Sequence, residues 1–119
     1  MPTFRHFHTD EFACPCCGAN HIQPEFVARL DQARSLAATP FRITSGFRCA
    51  AHNAAVGGVA GSAHLAGRAA DIACASPAER LRIVAGLLGA GFTRIGAGAD
   101  FVHADDDPSK PAPALWLYN

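Results

Sequence analysis

The stretch from Ser45 to Gly67, SGFRCAAHNAAVGGVAGSAHLAG, most narrows what this chain can become. Its side chains are small, and five glycines (Gly46, Gly57, Gly58, Gly61 and Gly67) interrupt it. Glycine favours tight turns and weakens helices and strands alike, so the stretch reads as a long loop rather than one regular element. A chain of 119 residues has room for one core. In so small a domain a loop of this length is more often functional than idle. The core must then come from the flanking segments. Apolar residues make up 50% of the chain, enough for a packed interior and too many for a disordered one.

Upstream, Phe26, Val27, Leu30, Ala33, Leu36 and Ala37 recur at helical spacing. They predict a helix from Pro24 to about Ala38, with Pro24 in the first turn, Glu25 near its positive end and Pro40 closing it. FRIT, residues 41–44, alternates as a short strand, and RAADIA, residues 68–73, as a second. Ser76-Pro77-Ala78-Glu79 is a capping box, which predicts a second helix from Pro77 to about Leu88. Leu81, Val84, Leu87 and Leu88 give it an apolar face, and Gly89 or Gly91 stops it. FTRIG and DFVHAD read as two strands joined by Gly96 to Ala99, and LWLY as a last strand. This order predicts an α+β fold: a small antiparallel sheet backed by two main helices, with the long Gly-rich loop. Residues 1–119 form one domain, in which 1–22 are a cysteine-containing N-terminal arm whose Phe4, Phe7 and Phe12 pack on the core.

Ten Lys and Arg balance ten Asp and Glu, which argues against a polyanion binder and so against a nucleic-acid partner. Arg5, Arg29, Arg34, Arg80, Arg82 and Arg94 are scattered and read as solvated faces. No run approaches the roughly 18 apolar residues of a membrane span, so no membrane partner is expected, and the chain reads as a monomer. The opening MPTFRHFHTD is polar and lacks a signal-peptide pattern, which predicts synthesis in the cytoplasm. Five cysteines cannot all pair, and a cytoplasmic start disfavours disulfides. Cys14, Cys16 and Cys17, in FACPCCG, lack the paired C-x-x-C groups of a zinc ribbon. They read as small buried or incidental thiols, with a metal or disulfide role as the alternative.

Six histidines in so short a chain make a metal site worth seeking. His64 and Asp71 flank a glycine turn, and His103 lies on a later strand. Two imidazoles and a carboxylate would hold zinc and leave a fourth position for water, as in catalytic rather than structural sites. The other reading is a hydrogen-bonded turn histidine at 64 and an ordinary strand histidine at 103. Asp71 shares a strand face with the small Ala69 and Ala73; His103 shares one with Phe101 and Asp105. Asp105 either orients His103 by a hydrogen bond or is simply solvated. Asp100 is placed to act as a general base, provided it sits at the first position of its strand or beside a bulge, or else fills a hairpin turn. Arg48 can fork onto a substrate carboxylate or steady an oxyanion, or else is a surface arginine. Ser62 contacts substrate or caps a turn; His52 and Asn53 read as structural.

The run ITSGFRCAAHNAAVGGVAGSAHLAGRAADI, Ile43 to Ile72, resembles the zinc D-alanyl-D-alanine carboxypeptidase family of peptidoglycan peptidases. The family's S-G-[YF]-R segment, its S-x-H-x-x-G-x-A-x-D motif and its late D-x-x-H stand here, in order, at Ser45 to Arg48, Ser62 to Asp71 and Asp100 to His103. HFHTDEFACPCCG is similar to the arm of phage-type members, and LWLY to their closing aromatic strand. The resemblance implies that His64, Asp71 and His103 ligate Zn2+. It implies Asp100 as the base that takes a proton from the attacking water and passes it to the leaving amine. Arg48 would then hold the oxyanion or terminal carboxylate, and Ser62 would contact substrate or back the ligands. The implied substrate is the peptidoglycan stem peptide, cut at a D-amino-acid bond by carboxypeptidase or cross-link endopeptidase action. The implied place of action is the cell wall or periplasm, reached through a phage lysis or tail route. The competing reading is a non-catalytic, zinc-containing peptidoglycan-binding or phage structural module; Asp100 together with Arg48 favours the enzyme.

Overall fold

The computed structural model describes residues 4–118. A single turn of 3-10 helix, Thr9–Phe12, precedes helix α1 (Pro24–Ala37), strand β1 (Ile43–Ser45) and a short helix α2 (Ala50–Ala55). Strand β2 (Ala69–Ala73), helix α3 (Pro77–Gly89) and strands β3 (Arg94–Ala97), β4 (Phe101–Asp105) and β5 (Ala114–Leu117) follow. The fold is α+β. Its five strands lie in the order β1-β2-β4-β3-β5, antiparallel except for the parallel pair β3–β5. The sheet is therefore mostly, not wholly, antiparallel, because residues 106–113 carry the chain back before β5 begins.

The two long helices begin as their caps dictate. Pro24 and Pro77 occupy first-turn positions, and the Ser76 hydroxyl accepts the Glu79 N–H. Their buried faces differ in part from the sequence expectation. On α1, Phe26, Val27, Leu30, Ala33 and Ala37 are buried while Leu36 is exposed; on α3 the buried stripe is Ile83, Gly86 and Leu87, and Leu81 and Leu88 face outward. The cause is the α1–α3 contact: a Cβ at Gly86 would meet the Ala33 carbonyl oxygen at 2.5 Å, so α3 turns this glycine toward α1. Phe26 meets Phe92 edge to face at 5.8 Å, a geometry that adds about 1 kcal/mol to simple burial.

Helices α1 and α3 cover one face of the sheet, where Ala70, Ile72, Val102, Ala104 and Ile95 join the core. Phe7 and Phe12 of the N-terminal arm enter the same buried cluster and Phe4 packs against it, as expected. Strand alternation turns Asp71, His103 and Asp105 to the opposite face. The small-residue stretch is not all loop. Cys49 caps α2, its sulfur accepting the His52 N–H at 3.4 Å, and only then do the glycine turns begin.

Candidate metal centre

The antiparallel register sets Asp71 directly opposite His103. Both project from the face away from α1 and α3, and the Ser62–Gly67 turns bring His64 over them. His64 Nε2 lies 3.4 Å and His103 Nδ1 2.9 Å from Asp71 Oδ1. The three donor atoms lie within 4.8 Å of one another. Donors 2.0–2.1 Å from a tetrahedral ion stand roughly 3.3 Å apart, so the set fits a zinc ion without rearrangement of the backbone. The tautomers fit as well. His64 Nδ1–H donates to the Gly46 carbonyl at 2.7 Å, which leaves Nε2 with its lone pair toward Asp71. His103 Nε2–H donates to Asp105 Oδ2 at 2.7 Å, so that in the neutral ring the Nδ1 lone pair faces the same point.

Beneath the donors lies a charge network. Asp105 is almost fully buried and also accepts from Arg94 Nε at 2.7 Å. Arg94, read from sequence as a solvated arginine, is largely buried and lies over the Trp116 ring at 4.8 Å. Nothing in its spacing marked it; its register partner Asp105 is the only signal, and that needs the sheet. Burial alone would push the Asp71 carboxyl up. The hydrogen bonds with His103 and His64 outweigh it and hold Asp71 well below the ordinary carboxylate range. Burial opposes protonation of His103, yet the bonds to Asp105 and Asp71 raise it above an ordinary histidine. Asp105 is likewise held low against burial by His103 and Arg94.

Arg48 is not a surface arginine. Its guanidinium reaches Ser45 Oγ at 3.1 Å, Asn53 Oδ1 at 3.2 Å and Asp71 Oδ2 at 3.4 Å. Asn53, on the unforeseen helix α2, is fixed in turn by the Val59 carbonyl. Gly58 lies so close that a Cβ there would strike Asn53 Oδ1. Ser62 is buried, and its hydroxyl accepts the His64 N–H at 3.2 Å. Arg48, His64, Asp71, His103, Trp116 and Tyr118 line a cavity of about 400 Å3.

Asp100 stands apart from this group. It is exposed in the bend before β4 and lines an adjoining recess with Thr44, Asp71, Ala73 and Phe101, outside the cavity that holds the two histidines. The structure thus brings together His64, Asp71, His103, Arg48 and Ser62, and sets Asp100 beyond Asp71 at the edge.

Two neutral-capable imidazoles and a carboxylate, open on one side to a cavity, are the donor set of a mononuclear metallohydrolase. The chain belongs to the Peptidase M15 family, whose profile matches residues 5–105. It is accordingly a zinc metallopeptidase by family. No curated protein matches it significantly. Among the described residues no helix is long and apolar enough to cross a membrane.

Proposed function

We propose that this chain hydrolyses a peptide bond beside a D-amino acid in peptidoglycan stem peptides, either releasing a terminal D-alanine or opening a cross-link. The observation that supports it most is the convergence of His64 Nε2, Asp71 Oδ1 and His103 Nδ1 beside the Arg48 guanidinium in one open cavity. His64, Asp71 and His103 would hold a zinc ion, which would supply Lewis-acid chemistry by polarising a carbonyl and lowering the pKa of water from 15.7 toward roughly 7. Arg48, braced by Ser45 and Asn53, binds the carbonyl oxygen as it gains charge or the terminal carboxylate of the peptide. Asp100 is the proposed base: its carboxylate takes a proton from the attacking water and returns it to the leaving amine. Ser62 holds the turn that aims His64, and Trp116 and Tyr118 form an aromatic wall against which the stem peptide lies. Action at the cell wall through a phage lysis or tail route accompanies this reading.

One observation favours a second reading, a non-catalytic zinc-containing module that binds peptidoglycan or serves as a phage structural part: Asp100 lies outside the cavity. Digestion of stem peptides and cross-linked dimers, followed by mass spectrometry with and without chelator, separates the two. Chelator-sensitive loss of one D-alanine marks a carboxypeptidase, and conversion of dimers to monomers an endopeptidase. Bound zinc with neither cleavage sinks the enzyme reading.

A further inference from the structure

We propose that Cys14, Cys16, Cys17 and Cys49 form a second metal site, a tetrathiolate that holds a structural zinc ion. It would tie the N-terminal arm to the segment that carries Arg48. From sequence Cys14, Cys16 and Cys17 read as small buried or incidental thiols, with a metal or disulfide role as the alternative; in the fold their sulfurs and that of Cys49 lie within 4.8 Å of one another. Cys49 Sγ is 3.7 Å from Cys14 Sγ and 3.3 Å from Cys16 Sγ. Sulfurs about 2.3 Å from a tetrahedral zinc stand roughly 3.8 Å apart, close to this spacing. A disulfide gathers two sulfurs, whereas here four surround one point, and soft thiolate ligands in such a set favour zinc over the hard divalent cations magnesium and calcium.

The local backbone is built to present them. Cys14 N–H donates to the Ala19 carbonyl and Gly18 N–H to the Cys14 carbonyl, both at 2.8 Å, closing a tight loop around residues 15–17. Gly18 makes that loop possible with φ at +75°. The His52 N–H donates to Cys49 Sγ, which spreads the negative charge a thiolate would carry. Cys16 and Cys17 are exposed, Cys49 partly so, and Cys14 buried, so the site lies at the surface with one ligand anchored in the interior. Cys74 stays apart in the core. The odd cysteine count thus divides into four ligands and one packing residue.

The position gives the site a structural task. Phe47 N–H donates to the Phe12 carbonyl at 2.8 Å, and Gly46 packs so tightly on Phe12 that a Cβ would come within 2.6 Å of its Cα. The Gly46 carbonyl holds the His64 ring and Arg48 braces Asp71. The tetrathiolate, with ligands on both sides of this seam, would keep the arm and the Gly46–Arg48 segment together. The inference does not depend on the proposed peptidase reaction.

Zinc counting on the intact chain tests it. About two equivalents per chain are expected in the unaltered protein, one in His64→Ala, and none when Cys17→Ser is added to His64→Ala. Cobalt substitution of the unaltered protein needs no variant: the tetrathiolate gives intense sulfur-to-cobalt charge-transfer absorption, which a His/His/Asp set cannot produce. Absence of that absorption overturns the proposal. So does a metal-free His64→Ala protein, or a Cys16–Cys49 disulfide found by alkylation mapping of the protein purified without oxidant. Retention of the second equivalent in the double variant would remove Cys17 from the ligand set and so refute the four-cysteine site.

Discussion

Replacing Asp105 by asparagine tests whether the proposed metal ligands are held by the network beneath them. Asp105 is 2% exposed and joins His103 Nε2 and Arg94 Nε at 2.7 Å each. Asparagine keeps the shape and one acceptor oxygen but removes the charge, leaving Arg94 without its partner at a site where its side chain is 13% exposed. Removing one member of a buried pair costs about 3–5 kcal/mol, and the retained acceptor places the loss near 3 kcal/mol. For a chain of this size that is roughly 10 °C in Tm, measured on zinc-free protein under identical conditions. Loss of the carboxylate behind a metal-bound histidine also lowers metal affinity by about 10–100-fold. Competition with a chromogenic chelator reads this directly, and separately from stability. If D105N bound zinc within a factor of about two of the unaltered chain, the carboxylate would not be orienting His103, and the reasoning would fail even were the protein less stable.

Other substitutions follow from the same geometry. His64→Ala should remove the zinc of the histidine site and hydrolysis together, read by metal analysis and peptide digestion. Asp100→Asn should keep the metal but lose about 100-fold or more of turnover, since an amide cannot take the proton; unchanged turnover would show that the base lies elsewhere. Arg48→Ala should lower turnover by a similar factor, about 100-fold, with zinc retained. Gly58→Ala should drive Asn53 from Arg48 and weaken turnover more than metal binding; equal rates in G58A and the unaltered chain would argue against Asn53 as the brace.

Residues with local rules behind them were legible. Pro24, Pro77 and the Ser76–Glu79 box mark both long helices to within a residue or so, and alternation placed β2 and β4 well enough to put Asp71 and His103 on usable faces. The FRIT strand runs instead over Ile43–Ser45, because pairing with β2 rather than alternation sets its limits. Helix α2 was hidden because AAHNAA is under two turns long and its cap is a cysteine, a weak signal beside five glycines. Gly96, expected in a turn, lies within β3, where the absence of a side chain leaves room for Trp116 and Tyr118. Arg94 and the exclusion of Asp100 from the main cavity depend on contacts between distant residues, which no spacing along one chain displays.

The pairing of β2 with β4 has a consequence for how the chain reaches its native state. A slip of one residue would turn every side chain of β4 over, sending His103 into the helical face and setting Val102 or Ala104 opposite Asp71. Such a chain has no third donor. Metal at about 100 times its dissociation constant would therefore stabilise the native register by about 2.7 kcal/mol and the slipped one by much less. The ion that serves the site would also act as a check on strand alignment, drawing misregistered chains back to the one pairing that can bind it.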